Sequence, residues 1–241
     1  MNWYDQSDYQ VRFDWGPEGI TALGPISDTI VVVDVLSFTT AVDVAVSRNA
    51  VVLPFGWKDD RAVEYARQQD AILAVGRGKP GLSLSPQSLA ELTEGDRVVL
   101  PSPNGSTLTI AASQHGTTIA GSLRNRSAIA EYVSGRIGTV AVIACGERWM
   151  PDNTLRPAIE DQIGAGAIID LLPGRKSPEA ESAVVVFTQA SNDLEQTLMN
   201  CASGRELVDK GYLDDVSFAA AIDSSRAVPV LENRAYRNVS T

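Results

Sequence analysis

Short, unbroken apolar runs alternate along this chain with segments whose apolar residues recur every three or four positions. Residues 9–15 (YQVRFDW) alternate apolar with polar, the pattern of a strand. Residues 29–35 (TIVVVDV) form a continuous β-branched run, which predicts a strand buried on both faces. Runs at 51–55, 71–75, 97–101, 117–121 and 139–145 repeat that pattern. Segments 39–47, 59–69, 105–114, 124–134 and 160–172 lie between or after them and carry helical spacing. Strands alternating with helices of this length imply βαβ units. The expected fold is a three-layer α/β/α domain with a largely parallel or mixed sheet, spanning residues 1–241 as one unit. The stretch from 178 includes a β-branched run, yet Ala180, Ala183, Val184 and Phe187 fit one helical face, so helix is expected through 211. Residues 228–236 predict a last strand and a tail, and the most irregular stretch is the Gly/Pro loop 76–86 (GRGKPGLSLSP).

Charge narrows the function classes. Thirty acidic residues against twenty basic ones give a formal net charge of −10, which disfavours nucleic acid and anionic membrane surfaces as partners. No apolar run is long enough to span a bilayer, and the amino terminus lacks the pattern of a secretory signal, so a cytoplasmic protein is expected. Two cysteines and a single histidine, His115, leave no multi-histidine zinc site and no disulfide framework. If the chain is an enzyme, its chemistry is expected to rest on carboxylates, hydroxyls, amides and a hard metal ion.

In sheets of this kind ligands gather beyond the carboxyl ends of the strands, against helix amino termini. Four successive strand ends carry polar turns. Asp34 closes the strongest strand and is followed by Ser37, Thr39 and Thr40; Asn104, Gly105 and Ser106 follow residues 97–101. Ser122, Arg124, Asn125 and Arg126 follow residues 117–121, the arginines being candidate anion clamps. Cys145, Gly146 and Glu147 end the next strand, and Glu160 and Asp161 open a helix continuing as Gly164-Ala165-Gly166-Ala167. The small residues imply that another backbone packs very close. The carboxylates suit Mg²⁺, although acids in a first helical turn are also favoured by the helix dipole alone. Each turn taken singly is equally compatible with capping and turn formation.

The segments VVVDVLSFTTAVDVAV, LPSPNGSTL, AGSLRNRSAIAEYV, ACGERW…AIEDQIGAGAII and GRELVDKGYLDDVSFAAAIDSSRAVPVL occur in an order that resembles the 2-phosphosulfolactate phosphatase family over about residues 25–232. The resemblance implies Mg²⁺-dependent hydrolysis of a phosphate monoester, 2-phosphosulfolactate, to sulfolactate and phosphate, a step of coenzyme M biosynthesis. It places Asp34, Thr39 and Thr40 in the first family signature and Asn104-Gly105 in its NG turn. Ser122 and Asn125 fall in the next motif, Glu160-Asp161 match its ED pair, and Asp223 matches an Asp that precedes the closing VP segment. Three departures accompany it. Ser37-Phe38 stand where the signature has Arg-Ala. Leu84-Ser85-Pro86 stand for Asn-Ser-Pro, and Ala202-Ser203-Gly204 replace a Ser-x-His-Gly element.

The expected mechanism uses Asp34 as nucleophile or water-orienting carboxylate, with Mg²⁺ held by some of Asp34, Glu160 and Asp161. Thr39, Thr40, Asn104, Gly105, Ser106, Ser122, Arg124 and Asn125 are expected to contact a small-molecule phosphate ester. The alternative is a family member that binds a small anionic ligand without hydrolysing the family's substrate. The acidic carboxyl-terminal region leaves room for a homodimer.

Overall fold

The computed structural model describes residues 2–57, 59–136 and 138–240. Strand β1 (Val11–Trp15) leads into α1 (Gly16–Leu23), β2 (Thr29–Val33) into α2 (Phe38–Ser47), and β3 (Val51–Phe55) into α3 (Asp60–Gln68). A two-residue strand β4 (Ile72–Leu73) and the short α4 (Pro86–Leu89) flank the irregular loop, then come β5 (Arg97–Pro101), α5 (Gly105–Ala112), β6 (Thr117–Gly121), α6 (Arg126–Ser134) and β7 (Val140–Ala144). A small hairpin, β8 (Glu147–Arg148) and β9 (Leu155–Arg156), precedes a run of five helices. These are α7 (Ile159–Leu171), α8 (Pro178–Ala190), α9 (Leu194–Asn200), α10 (Ala202–Asp209) and α11 (Leu213–Ala219). Strands β10 (Pro229–Glu232) and β11 (Ala235–Asn238) end the fold.

Nine strands form one mixed sheet in the order β1-β7-β2-β6-β10-β11-β3-β5-β4. Strands β1, β7, β2 and β6 are mutually parallel, as are β3, β5 and β4. The two parallel groups are joined through the antiparallel β10–β11 hairpin, by the pairs Val230–Ile119 on one side and Tyr236–Val52 on the other. The expected mixed α/β sheet is therefore present, with one correction. Residues 228–236 do not make one strand and a tail but contribute to a hairpin, turned at Asn233 and Arg234, both with positive φ. Those two residues adopt the left-handed conformation a tight hairpin requires.

The continuous β-branched run of β2 is buried on both faces, as its composition implies. Val31 and Val33 pack with Ile129 of α6 and Ile163, Ile168 and Ile169 of α7, while Ile30 and Val32 pack with Ile20 and Leu23 of α1 and Leu108 of α5. In the other group, Val52, Val98 and Leu100 meet α2, and Val51, Leu53 and Val99 meet Ala66 of α3. Helix layers thus cover both faces. The small residues of α7 admit a neighbouring backbone: a Cβ on Gly166 would run into the Ala183 carbonyl of α8. Strand β4 is shorter than the run 71–75, and Ile72 is half exposed at the sheet edge. Among the described residues no helix is long and apolar enough to cross a membrane.

Candidate active site

The turns after β2, β5 and β7 meet at one place, although 71 residues separate Asp34 from Gly105. Helix α5 crosses from the β5 turn to pack under β2. Asp34 Oδ2 accepts the Gly105 N–H at 3.1 Å and Oδ1 accepts the Phe38 N–H at 3.0 Å, so amides opening α5 and α2 both hold this carboxylate. Only glycine fits at 105: a Cβ there would lie 2.5 Å from Phe38 Cγ and 2.7 Å from Asp34 Oδ2. Asp161 plays a similar part, with Oδ1 accepting from Val35 N at 2.8 Å and Oδ2 from Gly146 N at 2.9 Å, tying the ends of β2 and β7 to α7.

Two further acids, buried Glu160 and half-buried Glu147, complete the floor. Glu160 is buried beside Asp161, and Glu147 accepts from Asn104 Nδ2 at 2.9 Å. Loss of hydration, followed by repulsion from Glu147, pushes Asp34 up to about 7. Burial and the negative charges of Asp34 and Glu160 raise Asp161 well above the ordinary carboxyl range, and burial raises Glu147. Two buried acceptors on this floor, Glu160 Oε2 and Asn104 Oδ1, have no hydrogen-bond donor. Desolvated carboxylates that repel one another beside unsatisfied oxygens call for a cation.

Among the described residues no three His, Cys, Asp or Glu side chains stand together as a ready ligand set, so Asp34, Glu160 and Asp161 are not closed into a three-carboxylate cage. The donor set nevertheless fits Mg²⁺, an oxygen-seeking ion satisfied by one or two carboxylates together with water and substrate oxygens. It does not fit a thiolate-bound metal. Cys145 is fully desolvated and raised well above its ordinary value, and burial pushes Cys201 up to about 12, so neither supplies a thiolate. His115 packs against Gly24, beyond the far end of α5 from the floor.

The hydroxyls expected to cradle an anion are spent on the backbone. Thr39 Oγ1 donates to Asp34 O and accepts from Asp34 N, Thr40 Oγ1 donates to Val35 O, and Ser106 Oγ donates to Leu100 O. All three residues are fully buried, and they fix the turns rather than line an open surface. Ser122 and Asn125 form a reciprocal cap, Ser122 N and Oγ both donating to Asn125 Oδ1. Arg124 is placed away from its expected role as an anion clamp. Its Nε donates to Asp43 at 3.0 Å, its Nη1 donates to Phe218 O, and its guanidinium lies over the Phe218 ring. Arg126 is likewise paired, with Asp223.

Two cations that motif reading passed over flank the floor instead. Arg156 of β9, whose charge opposes the rise of Glu147, donates to Ser203 Oγ at the start of α10. Arg77, from the irregular loop, donates through Nη2 to Ser37 Oγ at 2.7 Å and through Nε to Asp215 at 2.9 Å. A guanidinium from elsewhere in the chain thus abuts Ser37, the residue that stands where the first signature carries its own arginine. The loop's Gly/Pro irregularity was the signal available for Arg77. For Glu147 the signal was its place directly after a strand end.

Buried acids brought together where strand ends converge, beneath helix-opening amides, place the chain among α/β enzymes that work at the carboxyl edge of a sheet. Comparison with known proteins narrows this. The family model for 2-phosphosulpholactate phosphatase matches residues 17–234, and the chain belongs to that family, making it a phosphoric monoester hydrolase. A probable 2-phosphosulfolactate phosphatase of Carboxydothermus hydrogenoformans is 31% identical over 208 residues, covering 83% of this chain and 84% of its own. A probable 2-phosphosulfolactate phosphatase of Gloeobacter violaceus is 28% identical over 214 residues, covering 84% and 87%. The 2-phosphosulfolactate phosphatase of Methanothermobacter thermautotrophicus is 27% identical over 206 residues, covering 85% and 87%.

Proposed function

We propose that this protein is a Mg²⁺-dependent phosphatase for a small acidic phosphate monoester, with 2-phosphosulfolactate as substrate and sulfolactate and phosphate as products. The observation that carries the reading is the acid floor of buried Asp34, Glu160 and Asp161 with half-buried Glu147, and with Glu160 Oε2 and Asn104 Oδ1 left without donors. Similarity to relatives bearing that substrate in their names supports the choice of ester.

Glu160, with Asp34 or Asp161 and Asn104 Oδ1, would hold the ion, which supplies charge neutralisation to the phosphoryl oxygens. The chain's own groups do the rest. Amides in the first turn of α5 and the Arg156 guanidinium hold equatorial oxygens, where charge accumulates as the ester bond breaks. Asp34, fixed by two amides, orients a water in line with the ester oxygen. Water oxygen bonds to phosphorus, the phosphorus–ester oxygen bond breaks, and the proton lost by water passes to Asp34. The leaving alkoxide takes a proton from solvent. A carboxylate raised to about 7 by burial suits that base role near neutral pH.

The test is phosphate release from 2-phosphosulfolactate and a panel of acidic and neutral monoesters, with Mg²⁺ and with excess chelator. Rapid, chelator-sensitive release from the acidic esters is expected. Absence of release from every acidic ester defeats the reading, and release indifferent to chelator removes the metal from it.

A further inference from the structure

We infer that the cavity beneath Arg77 is a second anion subsite, seating a carboxylate or sulfonate that the phosphate ester carries beyond its phosphoryl group. The inference rests on the phosphatase reading for its substrate class, but the cavity and its cation stand on geometry.

Arg77 is a held cation rather than a roaming one. Its side chain is 20% exposed, and Asp215, at 3%, binds its Nε from within the fold. Ser37 Oγ and Leu84 O both accept from Nη2, and Tyr212 lies under the guanidinium with its ring centre 5.6 Å from Cζ. Asp215 is itself fixed, because Ser85 Oγ donates to its other oxygen. Among the described residues Nη1 has no hydrogen-bond partner. Its two N–H groups remain for a ligand, on a guanidinium already oriented, so little side-chain entropy is lost on binding.

Arg77 opens onto a cavity of about 790 Å³ walled also by Leu84, Pro101, Lys79, Lys210 and Tyr212. Two of the acids on the wall are already paired. Glu206 pairs with Lys210, and Asp59 pairs with Arg61. Asp60, at the start of α3, also lines the cavity, and Lys79 is a further lining cation beside Arg77, whose Nε is paired with Asp215. A volume of this order takes a small polar molecule with room for water.

Two elements run from the cavity towards the acid floor. Ser37, which Arg77 touches, is the residue before Phe38, whose amide holds Asp34. Helix α10 links the other side: Ser203 receives Arg156, and one turn later Leu207 lines the Arg77 cavity. Arg156 takes the phosphoryl group and Arg77 the acid beyond it. A floor of four carboxylates would repel a multiply charged ester, and Arg77 offsets that on the side where the second acid enters.

The probe is sulfolactate, the phosphate-free product, titrated calorimetrically into the native full-length protein with Mg²⁺ present. Native protein is expected to bind it. Arg77→Gln should weaken binding at least tenfold and Lys79→Gln severalfold. Because Arg77→Gln strands a buried Asp215, the double variant Arg77→Gln/Asp215→Asn serves where the single one does not fold, with the same loss expected. No binding by the native protein, or equal affinity in the Arg77 and Lys79 variants, overturns the subsite. A second readout is the ratio of kcat/KM for an ester bearing a second acid to that for p-nitrophenyl phosphate, expected to fall about tenfold in Arg77→Gln. A parallel loss on both esters would make Arg77 structural and sink the assignment. Arg77-dependent sulfolactate binding without any phosphate release would instead preserve the subsite and defeat the phosphatase reading.

Discussion

The amide of Gly105 donates to Asp34 Oδ2 at 3.1 Å, joining the turn after β5 to the end of β2. The bond exists because position 105 has no side chain: Phe38 and Asp34 occupy the space where a Cβ would stand. Gly105→Ala should lower stability by about 1–3 kcal/mol, the usual cost of overpacking, and reduce phosphate release more than a hundredfold by displacing Asp34. Chemical denaturation and steady-state assays read the two effects separately. Activity within twofold of native would show that this contact does not position the carboxylate.

Asp34→Asn keeps the size of the side chain but turns an NH₂ toward one of two amide donors and removes the base. Turnover should fall by about 10²–10⁴, the range for a lost general base, while the protein remains folded by circular dichroism. Full activity in this variant would assign the chemistry to another carboxylate.

The acid floor makes stability depend on pH in a defined direction. Asp34, Asp161 and Glu147 all hold protons more tightly folded than unfolded. Between an unfolded carboxyl value of about 4 and the folded Asp34 value of about 7, the native state carries more bound protons, so stability falls as pH rises through that interval. The metal-free protein should melt several degrees lower at pH 8 than at pH 5.5. Adding Mg²⁺ should recover the difference at pH 8 in a concentration-dependent way. Thermal melts at the two pH values, with chelator and with Mg²⁺, check both halves. A melting temperature that climbs steadily with pH in chelator contradicts the direction.

Arg124 and Asp43 form an ion pair at 3.0 Å, with side chains 10% and 0% exposed. Arg124→Leu should cost about 3–5 kcal/mol by leaving Asp43 charged and alone in the core, whereas Asp43→Leu/Arg124→Leu should recover most of it. Denaturant midpoints of the single and double variants give the coupling. Equal stabilities for Arg124→Leu and native protein would mean that Asp43 finds water or another donor.

Much of this architecture is legible in the chain itself. The β-branched runs mark β2, β5, β6 and β7 because a strand buried on both faces has no polar alternation to blur it. The helical face of Ala180, Ala183 and Phe187 also outweighs the β-branched run beside it, since those residues meet α7 closely. What the pattern does not carry is partnership. Residues 228–236 look like a last strand and a tail, and nothing local announces that β10 and β11 are inserted between Ile119 and Val52.

The site divides similarly. Asp34 and Asn104 are visible as an acid and an amide at strand ends, and Glu160 and Asp161 as acids opening a helix. Serine and threonine at the same ends look alike whether they face a ligand or staple a turn, and here Thr39, Thr40 and Ser106 staple. Arg124 is drawn away from its expected place, and Arg77, unmarked in the sequence, is brought beside Ser37, because a guanidinium's destination is set by the acid that meets it. Asp43 meets one and Asp215 the other, at 81 and 138 residues' separation.

The placement of β10 and β11 between two groups of strands has a consequence for biosynthesis. A ribosome delivers every other strand of the sheet before it delivers these two. Until residues 229–238 emerge, β6 and β3 each present an unpaired edge, and the emerging chain holds two unfinished half-sheets rather than one growing core. The sheet is therefore closed in its middle by strands made after all its others.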